Sequence, residues 1–239
     1  MRFDDYLVKH NLARTKSRAR NLIMMGLVMV DGKVKTKPGL YINETNKITL
    51  LKKDDFASLG EFKLRKALED FGYSPKGKSA IDIGASNGGF TKVLLDEGIE
   101  KVYAVDVGEC AFDDELRQDH RVIIKDKLNA RYIGFEDIPQ KVDLITVDVS
   151  FISIKQILPN IKKFLNPDGR IIALIKPQFE TQKQNLTKKG IVKTQMLQEI
   201  GDDIDDFVKK EGFKALGKTY IHEYFPNKNK EWFIIMQNL

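Results

Sequence analysis

The stretch from Ser79 to Phe90 decides the fold class of this chain, and its sequence is Ser79-Ala-Ile-Asp-Ile-Gly84-Ala-Ser-Asn-Gly88-Gly-Phe90. Its first five residues are mostly apolar and predict a buried strand, and the residues from about Thr91 to Glu97 predict a helix directly afterwards. Glycines in a strand-to-helix turn let a ligand approach the backbone, and such turns lie where α/β sheets bind nucleotides. The stretch therefore predicts a nucleotide-binding α/β domain.

Strand-like and helix-like patterns alternate from Ser79 onward, which predicts βαβ units and a parallel sheet covered by helices. Two further strand patterns near the C-terminus flank a charged loop and predict a closing hairpin. The expected fold is α/β, with a doubly wound, mostly parallel seven-stranded sheet. The predicted strands are Ser79–Ile83, Lys101–Val107, Val122–Ile124, Val142–Val147, Arg170–Ile175, Phe213–Ile221 and Trp232–Met236.

Two acidic residues accompany the glycine turn. Asp82 precedes it, and Asp106 stands 24 positions later, at the end of the next strand. An acid near that offset accepts hydrogen bonds from the ribose diol of an adenosine-containing cofactor. Gly84 and Gly88-Gly89 do not follow the G-x-G-x-x-G spacing of dinucleotide-binding turns. A methyltransferase that uses S-adenosylmethionine is favoured, because this cofactor has no pyrophosphate and an acidic strand end matches its amino acid portion.

Charged residues also end two later strands. Asp148 follows Val142–Val147, and Lys176 follows Ile171–Ile175. Partial desolvation at the end of an apolar strand lowers the pKa of a lysine from about 10.4 and makes a neutral amine base accessible. A nearby aspartate opposes that change, yet it can orient the amine. Two interpretations remain: a catalytic pair that accepts a proton, and a structural ion pair that closes the strand ends.

Composition limits the classes of function. The longest apolar run, Leu22–Val30, has nine residues, whereas a membrane-spanning helix needs about 20. The first residues also lack the form of a signal peptide, so we expect a cytoplasmic protein without a membrane segment. Cys110 is the only cysteine, which excludes an intramolecular disulfide and a cysteine-based zinc cluster. With only three scattered histidines, no metal site is expected.

The excess positive charge lies at the N-terminus. Residues 1–55 contain 12 Lys/Arg and 6 Asp/Glu, and the rest of the chain contains 28 of each, so the first segment carries the whole net charge of +6. Lysines and arginines gain free energy on phosphates by releasing counterions. The asymmetry indicates a polyanion as partner of this segment, and the alternative is a solvated basic face.

The N-terminal segment predicts a small α+β unit. Phe3–Asn11 and Lys16–Met25 have helical periodicity, and Thr15 is a suitable N-cap for the second helix. Ala19, Leu22 and Ile23 share one stripe of that helix. The stripe is flanked by four cations, which suits phosphate contacts: Arg14, Lys16, Arg18 and Arg20. Short strands follow, with an Asp31-Gly32 hairpin signal, at Val28–Val30, Val34 and Ile48–Leu51.

These N-terminal residues resemble the RNA-binding domain first seen in ribosomal protein S-four. The resemblance rests on Arg2-Phe3-Asp4-x-Tyr6-Leu7, Thr15-x-Ser17-Arg18-Ala19 and Leu22-Ile23-x-x-Gly26-x-Val28-x-Val30-Asp31-Gly32-Lys33-Val34. It implies that residues 1–53 form an RNA-binding domain, to which Arg2 and Lys33 contribute together with the cations of the second helix. Residues 60–239 are then the catalytic domain.

Over nearly its full length the chain resembles the TlyA (haemolysin A-like) family, which is similar in its catalytic domain to FtsJ-type ribose methyltransferases. Besides the N-terminal motifs and the glycine turn, the resemblance rests on Lys63-Leu64-x-Lys66-Ala67-Leu68, Val102-Tyr103-Ala104-Val105-Asp106-Val107-Gly108, Asn129-Ala130-Arg131, Asp148-Val149-Ser150-Phe151-Ile152-Ser153 and Lys176-Pro177-Gln178-Phe179-Glu180. It implies a Rossmann-like class I methyltransferase domain that uses S-adenosylmethionine to methylate a ribose 2′-hydroxyl of ribosomal RNA.

The resemblance also implies site residues. The catalytic set maps onto Lys63, Asp148, Lys176 and Glu231. Lys176 would accept the hydroxyl proton, Asp148 would hold its amine, Lys63 would bind phosphate or developing oxyanion charge, and Glu231 would orient a lysine. The expected cofactor-binding residues are Asp82, Gly84, Ala85, Ser86, Gly88, Gly89, Phe90, Asp106, Val107, Asp126 and Asp148. Ribosomal RNA or a ribosomal subunit is the expected partner.

The sequence departs from the family pattern on the expected RNA-facing side. Leu59 stands where the family has an arginine, Lys189 where it has a glycine, and Lys228 where a glycine precedes the Asn-x-Glu motif. The alternative function is therefore a non-catalytic RNA-binding or ribosome-assembly factor that keeps the methyltransferase fold. A membrane-lysing toxin is disfavoured by the short apolar runs, and a pseudouridine synthase by the glycine turn.

Overall fold

The computed structural model describes residues 1–24, 26–50, 58–221 and 228–239. These residues form two compact units, the first running to Phe62 and the second beginning at Lys63. Most of the predicted linker, Lys52 to Leu59, lies outside the described residues, as do Met25 and Leu51 at the predicted ends of a helix and a strand. No described helix is long and apolar enough to cross a membrane.

The first unit contains two helices and a three-stranded antiparallel sheet in the order β2-β1-β3. Thr15 accepts a hydrogen bond from the backbone N–H of Arg18 at 3.1 Å, which confirms the predicted N-cap. The predicted hairpin is also present, with positive φ at Asp31 and Gly32. The elements are α1 (Phe3–Lys9), α2 (Lys16–Met24), β1 (Val28–Val30), β2 (Lys33–Val34) and β3 (Ile48–Leu50). Their apolar faces bury Phe3, Leu7, Ala19, Leu22, Ile23 and Val28.

The second unit is built on a seven-stranded sheet in the order β6-β5-β4-β7-β8-β10-β9, in which only β10 runs antiparallel to its neighbours. This arrangement confirms the predicted mostly parallel sheet with a closing hairpin. Its central strands are mostly apolar because both of their faces are largely buried. The strands are β4 (Ser79–Ile83), β5 (Lys101–Val105), β6 (Val122–Lys125), β7 (Val142–Val147), β8 (Leu165–Ile175), β9 (Phe213–Tyr220) and β10 (Trp232–Asn238).

Helices cover the sheet. The longest is α7, whose buried residues Ile200, Ile204 and Val208 recur every four positions and pack into the main core. That spacing places them on one helix face. The helices are α3 (Leu59–Phe71), α4 (Gly89–Asp96), α5 (Asp114–Gln118), α6 (Leu158–Ile161) and α7 (Leu197–Lys210).

Several strand boundaries differ from the prediction, most of all the start of β8. Strand β8 begins at Leu165, which pairs with Val142, rather than at Arg170. The segment Asn166-Pro-Asp-Gly169 has the composition of a turn, and the register shift between the Val142–Leu165 and Leu144–Arg170 pairs places it in an irregularity within the strand. Strand β5 ends at Val105 rather than Val107. Asp106 and Val107 therefore lie in the turn beyond the strand, at the carboxyl edge of the sheet.

The antiparallel strand brings a distant part of the chain to that same edge. Trp232, the first residue of β10, pairs with Ile175, the last residue of β8. Lys176 and Glu231 are the next residues outward on the two strands, so their Cα atoms lie about 5 Å apart if the pairing geometry continues. The edge therefore combines residues from the ends of β4, β7 and β8 with the residue that precedes β10.

Candidate active site

A cavity of about 450 Å³ opens at the carboxyl edge of β4, β5 and β7. Its walls are partly apolar and carry a few convergent polar groups, as small-molecule sites commonly do. Five of the expected cofactor-binding residues line it: Gly84, Ser86, Asp106, Val107 and Asp148. The cavity thus lies at the sheet edge where the glycine turn predicts nucleotide binding.

The turn after β4 requires glycine at two positions. Gly84 has a φ of +85°, and a Cβ there would lie 2.3 Å from the backbone oxygen of Asp148. Gly88 has a φ of +82°, and a Cβ there would lie 2.2 Å from a side-chain carbon of Leu116. Both positions combine a left-handed backbone with close packing, which only glycine tolerates. The turn can therefore pass tightly between β7 and α5.

Four other predicted cofactor residues support the turn from behind. Ala85, Gly89 and Phe90 are buried, and Gly88 is the N-cap of α4. Among the residues that the structure describes, these four are not part of the cavity wall. Their place in the fold indicates that they shape the turn, and their expected part in cofactor binding stays a prediction.

Asp106 is held in a fixed orientation at the mouth of the cavity. One carboxylate oxygen accepts a hydrogen bond from the backbone N–H of Ser86 at 2.9 Å. The other accepts one from the backbone N–H of Gly108 at 2.7 Å. A carboxylate has about four lone-pair sites, so the two oxygens keep acceptor capacity for further donors such as a ribose diol.

Asp82 lies beneath the glycine turn and is not among the residues that line the cavity. Its side chain is completely buried beneath the turn and accepts hydrogen bonds from the hydroxyls of Thr91 at 2.7 Å and Thr146 at 2.8 Å. Burial raises the pKa of this carboxyl to about 6, and the nearby charge of Asp148 adds a smaller increase. Through these two hydroxyl groups Asp82 joins β4, β7 and α4, and its expected part in cofactor binding stays a prediction.

Asp126 is also away from the cavity. It is exposed after β6, and its carboxylate accepts a hydrogen bond from the backbone N–H of Cys110 at 2.6 Å. That bond lowers the pKa of Asp126. Asp126 therefore bonds to Cys110, which lies in the loop that follows Asp106. Asp126 is not among the residues that line the cavity.

Asp148 and Lys176 form an ion pair at the carboxyl edge. The Nζ atom of Lys176 lies 2.5 Å from an oxygen of Asp148 and donates a hydrogen bond to the hydroxyl of Ser150 at 2.9 Å. The side chains of Lys176 and Asp148 are 12% and 22% exposed, so the pair is partly shielded but still reachable. Because Asp148 and Ser150 both line the cavity, the amine is fixed beside it.

Lys63 and Glu231 form a second ion pair, although they are 168 positions apart in the sequence. Their closest atoms are separated by 2.6 Å, and the side chains are 14% and 17% exposed. Lys228 lies within electrostatic range of both Lys63 and Glu231. Burial lowers the pKa of Lys228, the charge of Lys63 lowers it further, and Glu231 opposes both effects. The departure from the family pattern at Lys228 thus adds a third charge beside this pair.

Sequence reasoning assigned no role to two features around the Asp148–Lys176 pair. Glu180 accepts hydrogen bonds from the hydroxyl of Ser153 at 2.5 Å and the backbone N–H of Ile154 at 2.9 Å, and burial raises its pKa. It therefore ties the loop after β8 to the loop after β7. Phe151 has a φ of +66° and is 92% exposed on the cavity wall. Glu180 and Phe151 lie inside motifs on which the family resemblance rests, and no other feature of the sequence points to them.

The predicted RNA-binding residues divide into two groups in the first unit. Arg2 and Arg20 each bind the buried carboxylate of Asp4 at 2.9 Å, and Lys16 pairs with Asp5 at 2.6 Å. The Arg2 guanidinium, by hydrogen bonding, holds the pKa of Asp4 well below its usual range. The remaining three have other surroundings: Arg14 and Lys33 are exposed, and Arg18 is half-buried.

No group of three or more histidine, cysteine, aspartate or glutamate side chains in the described part of the chain could hold a metal ion. The fold and the cavity at the glycine turn instead define the catalytic domain of a methyltransferase. The profile of the FtsJ-like methyltransferase family matches residues 56–239, and that of the S4 domain, the S-four-type module, matches residues 1–44.

Known proteins agree with this classification. Hemolysin A of Brachyspira hyodysenteriae is 37% identical, with 92% of each chain covered. The 16S/23S rRNA (cytidine-2′-O)-methyltransferase TlyA of Mycobacterium tuberculosis is 40% identical over 80% of this chain and 72% of its own. A solved structure from Streptococcus thermophilus, described as a hemolysin, is 34% identical with a TM-score of 0.75, covering 100% of this chain and 88% of its own. The chain belongs to the TlyA (haemolysin A-like) family of FtsJ-like methyltransferases.

Proposed function

We propose that this protein transfers a methyl group from S-adenosylmethionine to a ribose 2′-hydroxyl of ribosomal RNA. The observation that carries the proposal is the lysine amine held 2.5 Å from Asp148 beside the cavity at the glycine turn. A hydroxyl group needs a proton acceptor at the place where it attacks a methyl carbon. The name of the Mycobacterium tuberculosis relative, a cytidine-2′-O-methyltransferase of ribosomal RNA, supports the same reaction.

The residues around the cavity fit S-adenosylmethionine. The Asp106 carboxylate keeps acceptor capacity for a ribose diol, and the exposed side chain of Val107 offers an apolar surface to an adenine ring. Gly84 and Ser86 line the cavity where the turn after β4 meets the end of β7. When bound, this cofactor supplies an electrophilic methyl group on a positively charged sulfur.

The chain's own residues then handle the proton. The hydroxyl O–H bond breaks as the ribose oxygen forms its bond to the methyl carbon and the bond between that carbon and the sulfur breaks. The proton goes to the Nζ atom of Lys176, whose amine must first have released a proton to solvent because it is ion-paired with Asp148. Asp148 and Ser150 hold that nitrogen in place, and the carboxylate of Asp148 stabilises the ammonium that forms. Holding the base at a fixed position contributes to the rate because the reacting groups need no further search for the right geometry.

Lys63 and Glu231 have a supporting role in this proposal. Glu231 fixes the Lys63 ammonium through a contact of 2.6 Å, so that the cation can bind a phosphate or stabilise negative charge developing on the ribose oxygen. Lys228, which lies within electrostatic range of the pair, adds to the positive charge that an RNA backbone would meet.

Residues 1–53 would act as an RNA-binding domain and residues 60–239 as the catalytic domain. The cations Arg14 and Lys33 are exposed and would contact phosphates, and the half-buried Arg18 would contribute from the helix that carries the buried stripe. Arg2, Lys16 and Arg20 would bind RNA only by sharing or exchanging their present carboxylate partners. Ribosomal RNA as substrate implies that the protein works in the cytoplasm.

The experiment that tests the proposal is transfer of labelled methyl from S-adenosylmethionine to isolated small subunits, isolated large subunits and naked ribosomal RNA. Wild-type protein is expected to label at least one of these particles, and the choice of particle identifies the substrate. Cofactor binding is measured in parallel by calorimetry. Binding of the cofactor without labelling of any particle would contradict the proposal and favour an RNA-binding factor that keeps the fold.

A further inference from the structure

A second cavity, of about 290 Å³, lies between helix α7 and the edge formed by the end of β9 and the start of β10. Within the described part of the chain, its lining residues and those of the cofactor cavity do not overlap. Two aromatic residues, Tyr220 and Trp232, belong to its wall, with ring centroids 6.3 Å apart. Asp205, Lys218 and Lys230 bring charged groups to the same wall.

Two polar atoms on this wall lack a hydrogen-bond partner among the described residues. Trp232 is 4% exposed, and its Nε1 donor is buried without an acceptor. One carboxylate oxygen of Asp205 is shielded from solvent without a donor, while the other pairs with Lys218 at 2.5 Å. Buried polar groups nearly always have partners. A donor and an acceptor are therefore left over among the residues of one cavity wall, and a ligand that presents both kinds of group would satisfy them.

The charges and the shape narrow the chemistry of that ligand. Asp202 and Asp205 balance Lys218 and Lys230 on the wall, so a phosphate group would meet two carboxylates as well as two cations. The volume is at the small end of the range for ligand sites, about 300 Å³ and above. An uncharged, planar heterocycle with donors and acceptors along its edge matches these features, and aromatic side chains commonly stack on the bases of single-stranded RNA.

The cavity lies on the same sheet edge as the Asp148–Lys176 pair. Trp232 pairs with Ile175 on one side and with Tyr220 on the other, and Ile175 directly precedes Lys176. Neighbouring strands are about 4.8 Å apart, so the backbones of Ile175 and Tyr220 are separated by roughly 10 Å. An RNA strand with a ribose at Lys176 can therefore reach the cavity with the base of a nearby nucleotide.

We propose that this second cavity binds the base of an unpaired nucleotide of the substrate RNA, an inference that rests on the proposed function. Tyr220 provides a stacking surface, and Trp232 Nε1 and the free oxygen of Asp205 bond to the edge of the base. Such a contact selects RNA segments that are unpaired near the methylated ribose and helps to hold that ribose beside Lys176.

The experiment uses the full chain and the fact that Trp232 is its only tryptophan. The indole N–H therefore gives a single NMR cross-peak that reports on the cavity. Single-stranded oligoribonucleotides of adenine, cytosine, guanine or uracil are titrated, and at least one is expected to shift this peak saturably. Tyr220→Ala should weaken that binding about tenfold, the loss of one stacked base. Leu216→Ala, an exposed position on the same strand, is the matched control and should leave it unchanged.

Three results would overturn the inference: an indole peak that does not move while oligonucleotides shift other resonances, a peak that moves with S-adenosylmethionine alone, and equal effects of Tyr220→Ala and Leu216→Ala. Asp205→Asn, which keeps the shape of the side chain, should also weaken the titration. A different result is expected if the proposed methyl transfer is wrong and the inference about the second cavity is right. In that case wild-type protein transfers no methyl group, while the indole still responds to RNA in a Tyr220-dependent way.

Discussion

The two units of this protein both carry ion pairs, but the pairs differ in burial. In the catalytic unit, Lys63 and Glu231 are 14% and 17% exposed, and the Asp148–Lys176 pair is similarly shielded. In the N-terminal unit, Lys16 and Asp5 are 46% and 42% exposed, whereas Arg2 and Arg20 share the completely buried carboxylate of Asp4. Exposed pairs are weak and screened by salt, whereas removing one partner of a buried pair leaves an uncompensated charge. An exposed pair such as Lys16–Asp5 can exchange partners with RNA, and a pair with a buried partner fixes geometry.

The largest effect is expected at the lysine beside the cofactor cavity. Lys176→Ala removes the proposed proton acceptor and should lower the rate of methyl transfer about 10²- to 10⁴-fold, with cofactor affinity unchanged. Single-turnover labelling and calorimetry measure the two quantities. Lys155→Ala is the matched control, because Lys155 also pairs with an aspartate, Asp203, on the same unit. Equal losses in both variants would mean that Lys176 has only a structural role.

A second large effect is expected at the glycine turn. Gly84→Ala forces a side chain against the Asp148 carbonyl oxygen at a left-handed position, and should cost about 3 kcal/mol of stability or more and weaken cofactor binding. Gly190→Ala shares the positive φ but meets no atom within 4 Å, and should cost only about 1 kcal/mol. Chemical denaturation compares the two variants, and similar losses would contradict the close-approach argument.

The buried carboxyl of Asp82 should make the stability of the catalytic unit depend on pH. Its pKa rises from 3.8 to about 6 on folding, so the folded state favours the protonated form. The stabilisation from this proton is present below pH 4 and is lost as the pH rises through 6, which corresponds to roughly 3 kcal/mol at most. Asp82→Asn should therefore gain stability relative to wild type between pH 4 and pH 7 in urea unfolding. A difference that stays constant with pH would contradict the assignment.

The smallest effects are expected among the exposed cations of the first unit. Arg14→Ala should weaken RNA binding modestly and reduce the slope of log affinity against log salt by about 0.7 to 0.9. Arg20→Ala should change that slope less, because Arg20 already has a carboxylate partner. Filter binding at several salt concentrations measures both slopes, and a larger change for Arg20 would reverse the proposed order.

Features with a local sequence signature could be predicted, and features that depend on contacts between distant residues could not. The strands, the hairpin at Asp31-Gly32 and the glycine turn have local signatures, and the structure agrees with them. The burial of Asp82 was not predictable, because a charged residue at a strand end looks alike whether it faces a ligand or two threonine hydroxyls. The start of β8 at Leu165 depends on pairing with β7, which no local pattern displays.

The contacts between distant residues also had to come from the structure. The Lys63–Glu231 pair joins opposite ends of the catalytic unit, and only the motif resemblance suggested it beforehand. The second cavity arises where β10 enters between β8 and β9, so that Trp232 and Tyr220 meet helix α7. Neither residue belongs to a motif, and no local pattern in the sequence shows that Trp232 and Tyr220 lie side by side in the fold.

The most direct test of the central claim is the chemical identity of the methylated product. RNA modified by wild-type protein is digested to nucleosides and examined by mass spectrometry, with Lys176→Ala protein as the comparison. We predict a single 2′-O-methylated nucleoside that appears with wild type and is absent with the variant. A methyl group found on a base, or a 2′-O-methyl group formed equally well by the variant, would contradict the account of the Asp148–Lys176 edge.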